Sequence, residues 1–207
     1  MPLNFLNETS LRQAVDSLCR IEPRFAAIRD EHGPPPLWQR PSGFLTLLHI
    51  ILEQQVSLAS ARAVMDKMLD RHPAIDATLF LDLDDPALKS FGFSRQKMRY
   101  GRLLAAEIAG GRLDLKKLQT LSDNDARQRL TRLTGIGAWT ADIYLLMVLL
   151  RPDVWPHGDR ALAVAACEVF ELPEIPSYET LRIMAGRWQP YRAVAARLLW
   201  HHYLNRK

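Results

Sequence analysis

Apolar residues recur at three- and four-residue steps through almost the whole chain, the spacing of one face of an α-helix. Leu11, Val15, Leu18 and Ile21 form the first such stripe, and Ser10 just ahead of it is a candidate N-cap. From Phe44 to about residue 69 the pattern predicts two helices, the second capped by Ser57. Further helices are predicted near 76–82, 86–91, 95–109, 122–132, 138–150, 160–171, 177–187 and 190–204. Alternating β-branched runs bounded by hairpin turns are absent, so no sheet is expected. Gly33-Pro34-Pro35-Pro36 and Pro41-Ser42-Gly43 bracket Leu37-Trp38 as a connecting loop. Ala138–Leu150 is apolar on every side except at Asp142 and a few hydroxyls. A helix of that kind is buried along its length and is expected to form the spine. The pattern predicts an all-α fold of short helices joined by tight turns, without repeats or low-complexity tracts.

The length of 207 residues allows one domain of two lobes or two small domains. With 48% apolar and 24% charged residues, the chain falls among ordinary soluble globular proteins. Its formal net charge of +4 is compatible with a polyanionic partner without demanding one. The distribution of charge says more. Lys89, Arg95, Lys97, Arg99, Arg102, Arg112, Lys116 and Lys117 are offset within their stretch only by Glu107 and Asp114. The bland reading of such a run is a solvated helix face. Cys19 and Cys167 both lie in apolar helical patterns and read as buried thiols in a reducing cytoplasm. Two cysteines also exclude a four-cysteine iron–sulfur cluster. The start, Met1 to Glu8, has no basic segment and no long apolar run, so no signal peptide is expected. Phe44–Leu52 and Ile143–Leu150 fall short of the ~20 residues that span a bilayer. No membrane association and a cytoplasmic location are the expectation.

The chemistry concentrates in Leu133-Thr134-Gly135-Ile136-Gly137-Ala138-Trp139-Thr140-Ala141, followed along the chain by His157-Gly158-Asp159-Arg160. A Gly-x-Gly turn between two helical patterns gives a tight bend whose N–H groups open the next helix. Such a bend is an anion site, because unpaired amides and the helix dipole both favour negative charge. Gly135 and Gly137 allow positive φ and close approach of another backbone, while Leu133, Ile136 and Ala141 would pack the two helices together. One glycine here would be only a helix C-cap; two at this spacing go beyond it. Asp159 opens the next helix, where an Asp is in the first instance an N-cap worth about 1 kcal/mol. The same place favours an ionised carboxylate, so capping and chemistry are compatible.

The hairpin resembles the helix–hairpin–helix element of DNA repair glycosylases, and other segments agree in order along the chain. Gln54-Gln55-Val56-Ser57 resembles the Gln-Gln-x-Ser segment at that superfamily's minor-groove face. Gly92-Phe93-Ser94-Arg95-Gln96-Lys97 resembles its Gly-x-Ser-x-x-Lys turn ahead of a basic helix. Trp188-Gln189-Pro190-Tyr191-Arg192-Ala193, with Leu199-Trp200, resembles the Trp-x-Pro-x-Arg stretch of its final helix. The resemblance spans roughly residues 44–204 and is nearest to the 3-methyladenine (alkylpurine) glycosylases of the bacterial alkylation-inducible type. It implies a helical lobe over 44–150 carrying the hairpin, and a second lobe from 1–43 with 151–207. A cleft between them would take a flipped base. It further implies that Gln54, Gln55, Ser57, Lys97, Gly135, Gly137 and Thr140 meet double-stranded DNA. Main-chain carbonyls of Thr131, Leu133 and Ile136 would hold a monovalent cation that bridges to a phosphate. Asp159 takes the place of the catalytic Asp, and Trp139, Tyr191 and Trp38 are candidates for the base pocket. No other cofactor is implied, and a monomer is expected.

One carboxylate is enough for this bond if the substrate is a cation. Ordinary glycosidases use two, because a poor leaving group needs a general acid. A purine alkylated at N3 or N7 leaves as a neutral base, so the enzyme need only stabilise an oxocarbenium-like sugar and deprotonate a water. Trp139 stands where bifunctional relatives carry a nucleophilic Lys, so no Schiff base and no strand cleavage are expected. As a pocket wall it would favour a cationic base; as a packed aromatic it would do nothing chemical. Gln55 replaces the apolar wedge of some relatives and could hydrogen-bond an orphaned partner base. Ile143 replaces a pocket Tyr found in some of them, which narrows the aromatic cage. Three rivals remain: a hairpin protein that binds DNA without catalysis, a glycosylase for oxidised or deaminated bases, and a structural helical domain. The first would have no need of a carboxylate at Asp159, and the second would need a general acid that no residue evidently supplies.

Overall fold

Short polar side chains at the breaks in the apolar pattern start most of the helices. The computed structural model describes residues 5–206, within which twelve α-helices and no strand occur. They are α1 (Glu8–Ile21), α2 (Pro23–His32), α3 (Phe44–Glu53), α4 (Leu58–Arg71), α5 (Ala77–Asp82) and α6 (Asp85–Phe91). The rest are α7 (Arg95–Ala109), α8 (Asp123–Thr131), α9 (Ala138–Met147), α10 (Arg160–Val169), α11 (Tyr178–Ala185) and α12 (Arg192–Asn205). Ser57, Asp76, Asp84, Ser94, Ser122 and Ser177 each accept a main-chain N–H in the first turn of the helix that follows. Each such cap satisfies one of the donors a helix start leaves over. Among the described residues no helix is long and apolar enough to cross a membrane. The expectation about the extreme start, at Met1–Asn4, lies outside the described residues.

Several boundaries differ from the sequence pattern. Asn7, not Ser10, caps α1; Ser10 is the third helical residue and its hydroxyl accepts the Asn7 N–H, closing a reciprocal box. The pattern missed α2, whose only buried apolar side chains are Phe25 and Ile28 and whose start is set by Glu22 and Pro23. α9 stops at Met147, short of residue 150, because Leu150 turns left-handed (φ +54°) and Arg151 N–H donates back to Leu145 O. α10 ends at Val169 in a Schellman turn, with Glu171 left-handed (φ +53°) and Leu172 N–H on Cys167 O. Cys19 is buried as expected, but Cys167 is only half-buried: its thiol lies at this helix end, on Leu172 O.

Two compact units divide the chain. One combines the chain up to Gln39 with the chain from Leu145 onward; the other is Arg40–Tyr144. The chain passes between them at Gln39 and again inside α9, so residues 145–150 fall in the first unit. In that unit α12 is the central helix, packed by α10, α2 and α1. Its Ala193, Val194, Ala195, Ala196, Leu198 and Leu199 are fully buried. In the second unit α3 plays that part against α4 and α7, with Leu47, Leu48, Ile50 and Ile51 fully buried. An apolar run must be enclosed, and in α12 residues 193–200 are buried without a break.

Candidate active site

Asp159 is held from two directions within the first unit. Its Oδ1 accepts the Leu162 N–H at 2.9 Å, which makes it the N-cap of α10. The same oxygen accepts the indole N–H of Trp200, from α12, at 3.2 Å. The half-buried carboxylate is thus oriented by one main-chain donor and one rigid aromatic donor. Ahead of it, the Pro156-His157-Gly158 bend turns at Gly158 (φ +63°). Asp153, on the same loop, is clamped by Arg192 at the start of α12, Nε on Oδ1 and Nη2 on Oδ2, both at 2.9 Å. A fork-to-fork pair of this kind fixes direction as well as distance.

Trp200 in turn supports Trp38. Their rings meet edge to face, centroids 6.4 Å apart, and Trp38 is held in a left-handed backbone (φ +49°) that an aromatic residue rarely adopts. Arg197 fixes that loop. Its guanidinium is fully buried and donates to three carbonyls: Leu37 O at 3.0 Å, Leu146 O at 2.7 Å and Ala193 O at 3.0 Å. Burial pushes it down to about 9. Trp38, Trp200 and Asp159 therefore form one connected set, with Arg197 behind the loop. Tyr191 is half-buried at the N-cap of α12.

The hairpin lies in the second unit. After α8 the chain closes through Leu133 N–H on Leu130 O and Ile136 N–H on Leu133 O. Only Gly135 is left-handed (φ +98°); Gly137 has no positive φ, against the expectation for both glycines. A Cβ on Gly135 would lie 2.7 Å from Tyr100 Cβ, so the turn packs directly on α7. Gly137 is exposed, its own Cβ direction is open, and its carbonyl accepts the first helical N–H of α9, from Ala141. The N-terminal turn of α9 opens at that exposed glycine. Arg127 Nε on Asp142 Oδ1 at 2.6 Å ties α8 to α9, and Ile136 and Ala141 are buried between them. Trp139 is half-buried on α9 in this unit.

Three residues expected at DNA are turned inward instead. Gln54 Nε2 donates to Gly135 O and to Thr140 Oγ1, both at 2.8 Å, so its amide holds the hairpin. Thr140 is buried, 1% exposed, and cannot reach a phosphate. Lys97 Nζ donates to Leu52 O and, at 3.0 Å, to Gln54 O, capping the carbonyl end of α3. Burial lowers its pKa, partly opposed by Glu53. Gln55 is exposed in a left-handed backbone (φ +59°), and Ser57 is spent capping α4 beside exposed Val56 and Leu58. In the basic run, Arg102 pairs with Asp85 and Arg112 with Glu107, while Lys89, Arg95, Arg99, Lys116 and Lys117 are exposed.

The profile of the HhH-GPD superfamily base excision DNA repair protein matches residues 48–190. The chain belongs to that superfamily. A curated relative, DNA-3-methyladenine glycosylase 1 of Schizosaccharomyces pombe, is 24% identical over 93% of this chain and 87% of its own length. Among solved structures, a DNA-3-methyladenine glycosidase from Bacillus halodurans is 27% identical with a TM-score of 0.76, covering 93% of this chain and 89% of that one. S. pombe 3-methyladenine DNA glycosylase (Mag1), solved with abasic DNA, has a TM-score of 0.80 at 22% identity, covering 91% and 95%. In this HhH-GPD member Trp38, Arg197 and Trp200 all lie outside the matched segment. The motif that contains Trp200 assigns it no role, and Arg197 belongs to no motif. A single cation inside the apolar run Ala193–Trp200 is the signal that marks Arg197.

Proposed function

We propose that this chain is a monofunctional DNA glycosylase that releases cationic alkylated purines, such as 3-methyladenine and 7-methylguanine, leaving an abasic site. The observation that carries this reading is the Asp159 carboxylate, aimed by the Leu162 N–H and the Trp200 indole. Capping the helix needs only the Leu162 N–H; the Trp200 indole on the same oxygen goes beyond a cap. Asp159 stabilises the oxocarbenium-like sugar and takes a proton from the attacking water, while the base departs neutral. Trp38 and Trp200, beside Asp159 in the same unit, supply electron-rich faces for a cationic base. The exposed turn at Gly137 and the exposed cations of the 89–117 run hold duplex DNA by its phosphates, and the protein acts as a monomer.

Thr131 closes α8, and Leu133 and Ile136 lie in the turn that follows, with Leu133 O accepting the Ile136 N–H. Main-chain carbonyls are oxygen donors of the kind a hard monovalent cation takes. Such an ion would add a positive charge between the hairpin and a phosphate.

The reading is tested by incubating the protein with methylated, deaminated and oxidised duplexes and separating the released bases. Cationic 3-methyladenine and 7-methylguanine should leave far faster than hypoxanthine or 8-oxoguanine. Cation–π attraction contributes ~0.5–2 kcal/mol to that preference, and the better leaving group adds more. Equal rates on cationic and neutral bases would sink it. Borohydride added during turnover should trap no protein–DNA adduct, since Trp139 cannot form an imine; an adduct mapped to any Lys reverses the monofunctional assignment.

A further inference from the structure

Asp159 also lines a hollow that none of the sequence motifs accounts for. Its walls are Pro156, Ile175, Leu181 and Tyr178, with Asp159 and Arg160 as the charged members. All belong to the first unit. Tyr178 lines the hollow, and the His157 ring packs against it from beside, centroids 4.0 Å apart and inclined at 45°, so the two form one aromatic pair at its edge. His157 and Arg160 are exposed, Tyr178 is half-buried, and Ile175 keeps 40% of its surface in water. Tyr178, Ile175 and Leu181 give the hollow an apolar face, and Arg160 sets a cation beside it. The combination suits a partner with a flat apolar face next to an anion.

A nucleotide has that chemistry. Building on the glycosylase reading, we propose that the hollow is a strand-holding subsite for the nucleotide adjoining the damaged one. Its sugar or base rests on the His157–Tyr178 pair, and its phosphate lies near Arg160. The continuity of the two sites decides the occupant: the hollow shares Asp159 with the reacting centre, so a nucleotide bonded to the damaged one reaches it. Stacking on an aromatic pair is sequence-tolerant, because every base has a π-face. The subsite would therefore hold the strand in register without reading its sequence.

The test uses duplexes bearing a non-hydrolysable lesion mimic for affinity and 7-methylguanine for turnover. Each is made with its normal neighbours or with a propyl spacer replacing the neighbouring nucleotide on one side. Tyr178→Ala should weaken binding of the normal duplex about tenfold, in KM and Kd rather than in the saturated rate. Tyr178→Phe should retain most of the affinity, and His157→Ala should lose an intermediate amount. The spacer on one side should weaken the wild type by a similar factor yet cost Tyr178→Ala nothing further, as for any pair of partners. Additive losses on both sides, or a fall in the saturated rate at unchanged Kd, would overturn the subsite. If Tyr178→Ala unfolds, the same cycle is run with His157→Ala and judged by the same criterion. Failure of the wild type to release any base defeats the glycosylase reading separately, since the binding cycle does not depend on turnover.

Discussion

Asp159→Asn should leave the fold standing while base release falls by at least about a hundredfold, the scale of removing one preorganised electrostatic group from a reaction centre. The structure makes the substitution a clean one. Asparagine keeps an oxygen for the Leu162 N–H and the Trp200 indole, and as an N-cap it is equivalent to Asp. What disappears is the negative charge proposed to stabilise the sugar cation and receive the proton. Single-turnover release of 7-methylguanine, with the melting temperature measured alongside, separates the two effects. Near-normal turnover in a well-folded variant would move the chemistry to another group. A large loss of melting temperature would instead show that the carboxylate serves mainly to build the loop.

The second large effect falls on the hairpin and separates its two glycines. Gly135→Ala forces a side chain into a left-handed backbone, at about 1–2 kcal/mol. It also drives a Cβ against Tyr100, where overpacking adds about 1–3 kcal/mol. For a chain of this size the sum lowers the melting temperature by on the order of 10 °C. Gly137→Ala meets open space and an unstrained backbone, so it should melt within a few degrees of wild type. Its cost should fall on affinity for damaged and undamaged duplex alike, because the turn at Gly137 would touch phosphate and not bases. Equal melting losses in the two variants would contradict the packing described for Gly135. Lost affinity confined to damaged duplex would place Gly137 in lesion recognition.

Much of this molecule could be read before any coordinates. Helix spacing and short polar caps located most elements, because both are local properties written within a few residues. The Gly-x-Gly turn and the cap at Asp159 were legible for the same reason. The direction a loop residue faces was not. Gln54 and Gln55 are neighbours of identical chemistry, yet one holds Gly135 and Thr140 while the other faces solvent. The difference arises where α3 ends and Gln55 turns left-handed. The resemblance of its turn to the Gly-x-Ser-x-x-Lys element points Lys97 at DNA. Its ammonium is consumed by carbonyls that the sequence could not show ending there. The Trp200–Asp159 hydrogen bond and two of the three Arg197 contacts, on Leu37 O and Leu146 O, join stretches far apart in the chain, and periodicity carries no information about such pairs. α2 escaped because two buried side chains are too few to establish a period.

Arg197 has a consequence for how this protein can change over generations. Exposed positions on α12 can exchange one residue for another with little penalty, as surface substitutions generally do. Residue 197 has no such freedom. Its guanidinium is the common donor for a loop carbonyl, a carbonyl near the end of α9 and one from its own helix. Replacing it by an apolar side chain takes the guanidinium from the Leu37 and Leu146 carbonyls in one step, at about 1–3 kcal/mol for each acceptor left unpaired where no water can reach, while Ala193 O keeps its helical N–H. A lysine, with a single nitrogen, has no planar fork to span three separated oxygens. Inheritable drift in the wall that carries Trp38 is therefore blocked one substitution at a time. It can proceed only if the Leu37–Trp38 loop is rebuilt together with position 197, so change around this loop should accumulate first at side chains Arg197 does not hold.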